Sequence, residues 1–140
     1  MIVLIGATPL VALCDARDEK HRVAVKHLEL LASSQLMACE AVLTEACFRL
    51  PYASQRRRLA GLLETLGVQP VPVGNESDFR LEVFGWLAKY SDHDPGWADG
   101  CLAVLSGKFK DAKVWTYHRE FKTIWRRPNG TVIPLAVRPS

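Results

Sequence analysis

The chain alternates short, unbroken apolar runs with longer segments in which apolar residues recur every three or four positions. That alternation predicts strands separated by helices. Residues 2–5, IVLI, are too few for a helix and read as a buried strand. Gly6 and Pro9 mark a turn, and a short helix follows through Leu10 to Cys14. A second helix starts at Asp18 or an adjacent polar residue, with Val23, Val25, Leu28, Leu30 and Leu31 on its apolar face, and Ser33 and Ser34 break it.

Gln35 to Cys39 is the second strand candidate, followed by a helix over Ala41 to Leu50. Pro51 stops that helix, because proline lacks a backbone donor and restricts the residue before it. A further helix is predicted from about Ser54 to Leu66, carrying Leu59, Leu62, Leu63 and Leu66 on one side and Arg56, Arg57 and Arg58 near its start. VQPVPV holds two prolines and so reads as an extended edge segment. Asn75 or Ser77 then opens a helix containing Phe79, Val83, Phe84, Trp86, Leu87 and Tyr90. After the loop SDHDPG, a helix runs from Trp97 to about Ser106 and AKVWTY returns to strand character. Residues 119–127 are polar and basic with no clear period, and TVIPLAV is a last strand candidate that Pro134 confines to an edge. The whole pattern predicts one small three-layer α/β domain over residues 1–140, with a mostly parallel central sheet and helices on both faces.

Composition agrees with that picture. With 140 residues, 49% apolar and 24% charged, the chain favours a single compact core over a disordered or fibrous state. No apolar run is long enough to span a bilayer and the first residues lack a basic leader, so a cytoplasmic protein without membrane contact is expected. Cys14, Cys39, Cys47 and Cys101 are scattered through apolar segments without metal-ligand spacing and read as reduced, mostly buried thiols. Charge is uneven. Residues 1–103 carry ten Lys or Arg against thirteen acids, whereas residues 104–140 carry eight against two. A basic C-terminal region suits a polyanion, and it equally suits a solvated surface.

Two carboxylates stand out. Glu45 lies among Val42, Leu43, Ala46 and Leu50, where a charge is costly unless it reaches water, a donor or a cation; spacing alone favours a structural place at the helix edge. Asp99 lies about one turn inside the helix after SDHDPG, where it either complements the helix terminus or offers oxygen to a cation. Asp94 before Pro95 reads as the N-cap of that helix. His21 and His27 lack ligand spacing and read as surface residues, and a polar turn suffices to explain His93. Trp86 and Trp115 read as core residues.

Taken together, GATPLVALCDARDEKH, AVLTEA, YSDHDPGWADGCLAVL and VWTYHREF resemble, in the same order, the segments of PIN-domain nucleases, especially the toxin components of type II toxin–antitoxin pairs. The resemblance covers residues 2–121. It implies an acidic pocket at the carboxyl ends of the central strands, with Mg2+ or Mn2+ activating water and stabilising charge on the phosphate. Glu45 and Asp99 match retained acidic positions, whereas the first aspartate of the family falls on Gly6 and the later one on His118. Asp15 matches a different position, and Asp92, Asp94 and Glu120 are auxiliary oxygens at most.

The resemblance thus assigns Glu45, Asp99 and Thr116 as catalytic and Glu45, Asp99 and His118 as metal-binding, with structural hydrogen bonding as the other reading of Thr116. Arg119, Lys122, Arg126 and Arg127 form a basic patch for nucleic acid near the pocket mouth. RNA, a cognate antitoxin and a second copy of the chain are the implied partners. With two acids replaced, two readings stay open: a weakened metal-dependent endoribonuclease, and an inactive RNA-binding or antitoxin-binding PIN-like protein.

Overall fold

A computed structural model describes residues 1–138. Its sheet is formed by β1 (Ile2–Ile5), β2 (Gln35–Ala38), β3 (Gln69–Pro70) and β4 (Lys113–Trp115) in the order β3-β2-β1-β4, with every pairing parallel. Parallel strands need crossovers that cover both faces of the sheet, so the strands themselves must be apolar on both sides. The residues comply: Val3, Leu4 and Ile5 of β1, Leu36, Met37 and Ala38 of β2, and Val114 and Trp115 of β4 are all buried.

The crossovers are α1 (Ala7–Cys14), α2 (His21–Leu31), α3 (Glu40–Arg49), α4 (Ala53–Thr65), α5 (Glu76–Lys89) and α6 (Trp97–Lys108), with the short α7 (Glu120–Thr123) after β4. α1 packs against α2, α3 and α4, while α6 packs against α5, α3 and β4. Gly100 permits the close α5–α6 approach: a Cβ there would lie 3.0 Å from Val83 and 3.3 Å from Leu87 and Trp86. The strand order fixes where a ligand site can form. From β1 the chain builds outward through β2 to β3, then crosses back to lay β4 on the other side of β1. The crevice between the carboxyl ends of β1 and β4 is therefore the topological switch point of the sheet, where neighbouring connections diverge.

Several local expectations need correction. α1 starts at Ala7, so Thr8 and Pro9 lie in its first turn, where proline's missing donor has no intrahelical partner to lose. α2 starts at His21, because the Asp18 side chain accepts from the Lys20 amide at 2.8 Å and holds a turn there instead. Val25 and Leu30 do not join the buried face of α2; they are 38% and 76% exposed. Asp94 does not cap α6. It closes a 3-10 turn over Ser91–His93 in a left-handed conformation, φ 48°, and Gly96 takes the cap position. TVIPLAV forms no extended strand: Leu135 makes one bridge to Val114, with Pro134 and Ala136 supplying the two backbone bonds. The edge placement of VQPVPV stands, reduced to the two residues of β3, and the Asn75 side chain caps α5 by accepting from Asp78 N at 3.0 Å.

Candidate functional site

Four connections converge on the switch point. Gly6 follows β1 in extended conformation, and its amide donates to Trp115 O of β4 at 2.8 Å. Thr8 follows in the first turn of α1. Thr116, Tyr117 and His118 continue from β4, Glu45 projects from α3 and Asp99 lies in the first turn of α6. A narrow cleft, too tight to hold a water-sized sphere, is lined by Ala7, Thr8, Glu45, Ala98, Asp99, Leu102, Thr116 and His118. Glu45, Asp99, Thr116 and His118 are thus brought together, although they are spread over 74 positions of sequence.

The polar groups in this cleft largely satisfy one another. Thr8 Oγ1 accepts from Tyr117 N at 2.9 Å, Thr116 Oγ1 accepts from His118 N at 3.1 Å, and the two hydroxyl oxygens lie 3.4 Å apart. These bonds fix the loop after β4 and turn the His118 ring toward Asp99. Nδ1 of His118 lies 3.4 Å from Oδ1 of Asp99, and Oδ2 of Asp99 accepts from Gly96 N at 3.3 Å. Asp99 is buried, whereas His118 is half-buried. The hydrogen-bonding approach of Asp99 raises the His118 pKa above its ordinary value; burial opposes the rise, and the charges of Asp99, Glu120 and Glu45 add to it. Glu45 makes no hydrogen bond or ion pair among the described residues.

A divalent cation of the Mg2+ or Mn2+ type needs several oxygens converging on one point. Here Asp99 already faces Gly96 N with one oxygen and the His118 ring with the other, Gly6 offers no side chain, and Glu45 is the second carboxylate lining the cleft. No group of three or more His, Cys, Asp or Glu among the described residues is arranged to hold a metal ion. The donor set as it stands does not fit the cation that the sequence resemblance implies.

The auxiliary acids do not repair this. Asp92 and Asp94 sit in the exposed 3-10 turn region, and Asp15 lines a different cavity with Arg17, Tyr52 and Arg58. Glu120 begins α7 and acts on His118 through its charge without lining the cleft. Thr8 is a cleft residue that the sequence reading missed; the signal was a hydroxyl two positions after a strand-ending glycine.

The basic patch divides into two kinds. Arg119 and Lys122 are exposed at α7. Arg126 gives its guanidinium to Trp125 O at 2.9 Å, and Arg127 gives its own to Lys110 O at 3.1 Å. In the N-terminal half, Arg56 donates to Leu50 O at 2.7 Å and Arg58 to Cys14 O at 3.4 Å. Beyond Glu45 and Ala98, the cleft opens into a groove that brings the exposed Phe48 together with Trp97, beside Glu40 and Thr44.

Behind the cleft, Trp115 Nε1 donates to Tyr117 Oη at 3.0 Å, and Tyr117 Oη lies 2.8 Å from His27 Nδ1. Indole is only a donor, so Tyr117 Oη accepts from Trp115, while the direction of its bond with His27 depends on the imidazole tautomer. Burial lowers the His27 pKa, and burial, against the Trp115 bond and with the charge of Asp18, pushes Tyr117 to about 12. Cys14, Cys39 and Cys101 are buried and Cys47 is exposed, all as free thiols; burial pushes Cys14 to about 11 and Cys101 to about 12.

No family model matches the sequence, and no curated protein matches it. Among solved structures, VapC20 of Mycobacterium tuberculosis, a toxin that cleaves the sarcin–ricin loop, is similar to this chain with a TM-score of 0.69 and 18% sequence identity, over 86% of this chain and 93% of the toxin. At that identity the likeness is one of architecture. No helix among the described residues is long and apolar enough to cross a membrane. By strand order, helical layers and structural likeness, the chain is an α/β domain of PIN-like fold.

Proposed function

We propose that this chain is a PIN-fold RNA-binding protein in which metal-dependent ribonuclease activity is lost. The observation that carries the reading is the Asp99–His118 pair, which stands where a nuclease of this fold would present converging acids. The cleft retains the position of a nuclease site at the switch point but not a donor set suited to Mg2+ or Mn2+. Arg119 and Lys122 are free of the backbone bonds that hold Arg126 and Arg127, so they supply the phosphate contacts that dominate affinity for nucleic acid. Phe48 and Trp97 offer exposed ring surface next to the cleft for unpaired bases. A cognate antitoxin and a second copy of the chain remain the protein partners suggested by the resemblance to toxins.

A second reading, a weakened Mg2+- or Mn2+-dependent endoribonuclease, is favoured by the convergence of Glu45, Asp99, Thr116 and His118 on one cleft. An RNA assay separates the two. Native chain, Asp99→Asn and His118→Asp are each incubated with single-stranded RNA in Mg2+ or Mn2+, and cleavage and retention are read on the same samples. Retention without turnover by the native chain, with cleavage gained in His118→Asp, supports the proposal. Metal-dependent native cleavage abolished by Asp99→Asn supports the weakened enzyme.

A further inference from the structure

The mismatch between fold and donor set is itself informative, because Thr8, Asp99, Thr116 and His118 have partners in the cleft, and among its polar side chains Glu45 stands apart from them. Four side chains from three parts of the fold close on one another. Thr8 of α1 receives the Tyr117 amide and Thr116 receives the His118 amide. Asp99 of α6 faces His118 with one oxygen and the Gly96 amide with the other. A buried carboxylate without a cation must find donors or a compensating charge or give up its own charge, and Asp99 has the Gly96 amide at the start of its own helix and the His118 ring, 3.4 Å away, from the loop after β4. Gly6 belongs to the same arrangement. A Cβ there would lie 3.1 Å from Trp115 O and 3.5 Å from both the Thr116 Cβ and Leu102 Cδ1, so β1 and β4 close against the space that a side chain would need.

We propose that the Asp99–His118 pair, with Thr8 and Thr116, is a polar latch that joins the N-terminal turn of α6 to the loop after β4 and to α1, and that it replaces a divalent cation at this position. Asp99 is then a positioning residue, and the cleft is held shut by side chains of the chain itself. The inference builds on the reading of this cleft as the former nuclease site, but it concerns what holds the cleft together and needs no RNA.

Two measurements on the full chain test it. In the first, Mn2+ is titrated into native protein, Asp99→Asn and His118→Asp, with binding read by water-proton relaxation and melting followed in EDTA and in Mn2+. The native melting temperature should move by less than about 1 °C, since only a ligand that binds the folded state raises it, and His118→Asp should bind Mn2+ at least about tenfold more tightly than native because a second carboxylate replaces the imidazole. In the second, melting of Asp99→Asn, His118→Asn and their double variant forms a mutant cycle. The isosteric Asp99→Asn should lower the melting temperature by about 3–6 °C, and His118→Asn should cost distinctly less when Asp99 has already been replaced. Saturable binding of one Mn2+ to the native chain that disappears in Asp99→Asn would overturn the proposal, as would additive effects in the cycle. RNA binding in EDTA bears only on the proposed function; its loss would leave the latch standing.

Discussion

His118 Nδ1 and Asp99 Oδ1 lie 3.4 Å apart across the mouth of a parallel sheet, one on the loop after β4 and the other in the first turn of α6. The contact joins the two elements that flank the switch point. It also sets how the site should respond to pH.

Asp99 raises the pKa of His118, so the folded state binds the His118 proton more tightly than the unfolded chain does. The stabilisation is fully present below the ordinary histidine value of 6.5 and is lost as pH rises through the raised value. NMR titration of the His118 ring should show a pKa above 6.5 that falls back in Asp99→Asn. An unchanged value in that variant would contradict the pairing.

His27 should behave in the opposite sense. Burial lowers its pKa, so the folded state resists protonation, and stability is lost as pH falls below the ordinary value of 6.5 toward the lowered one. His27→Gln, compared with native chain by urea denaturation at pH values on either side of that range, should flatten the acid limb of the stability profile.

Tyr117→Phe removes the acceptor of the Trp115 indole and the hydrogen-bond partner of His27 together. Trp115 is fully buried, so its unpaired N–H should cost about 1–3 kcal/mol in a urea melt. RNA affinity should be little changed, because Tyr117 does not line the cleft.

The basic residues should separate by role. Neutralising Arg119 and Lys122 should weaken RNA binding uniformly across sequences and reduce the salt slope by about 1 for each phosphate that is no longer neutralised. Arg127→Ala should instead lower stability, because its guanidinium holds Lys110 O at 3.1 Å. Anisotropy titrations at several salt concentrations, alongside melting curves, distinguish the two outcomes.

Much of the fold was legible because its strongest signals are local. IVLI could be buried on both faces only as a central strand, and the prolines of VQPVPV forced that segment to an edge. Pro51 and Asn75 marked a helix stop and a helix start through their own backbone chemistry. Glu45, Asp99, Thr116 and His118 could be grouped by resemblance, and the fold brings them to one cleft. Their bonding was not legible. Tyr117 N meets Thr8 across 109 positions and His27 meets Tyr117 across 90, and no periodicity encodes such partners. Asp94 misled for a local reason: a short polar residue before proline favours a helix cap, but here it adopts the left-handed turn that closes Ser91–His93. TVIPLAV misled because β propensity does not say whether a neighbouring strand is available, and the segment meets Val114 and Arg126 only through isolated bridges.

This PIN-like chain is proposed to engage RNA beside the closed cleft without depending on a divalent cation. The most direct test is the affinity of native protein for a labelled single-stranded RNA, measured by anisotropy in EDTA and again in Mn2+, with the RNA recovered from each sample and sized. The account predicts equal affinity in both and intact RNA throughout. Binding or cleavage that appears only with Mn2+ and vanishes in Asp99→Asn would contradict it.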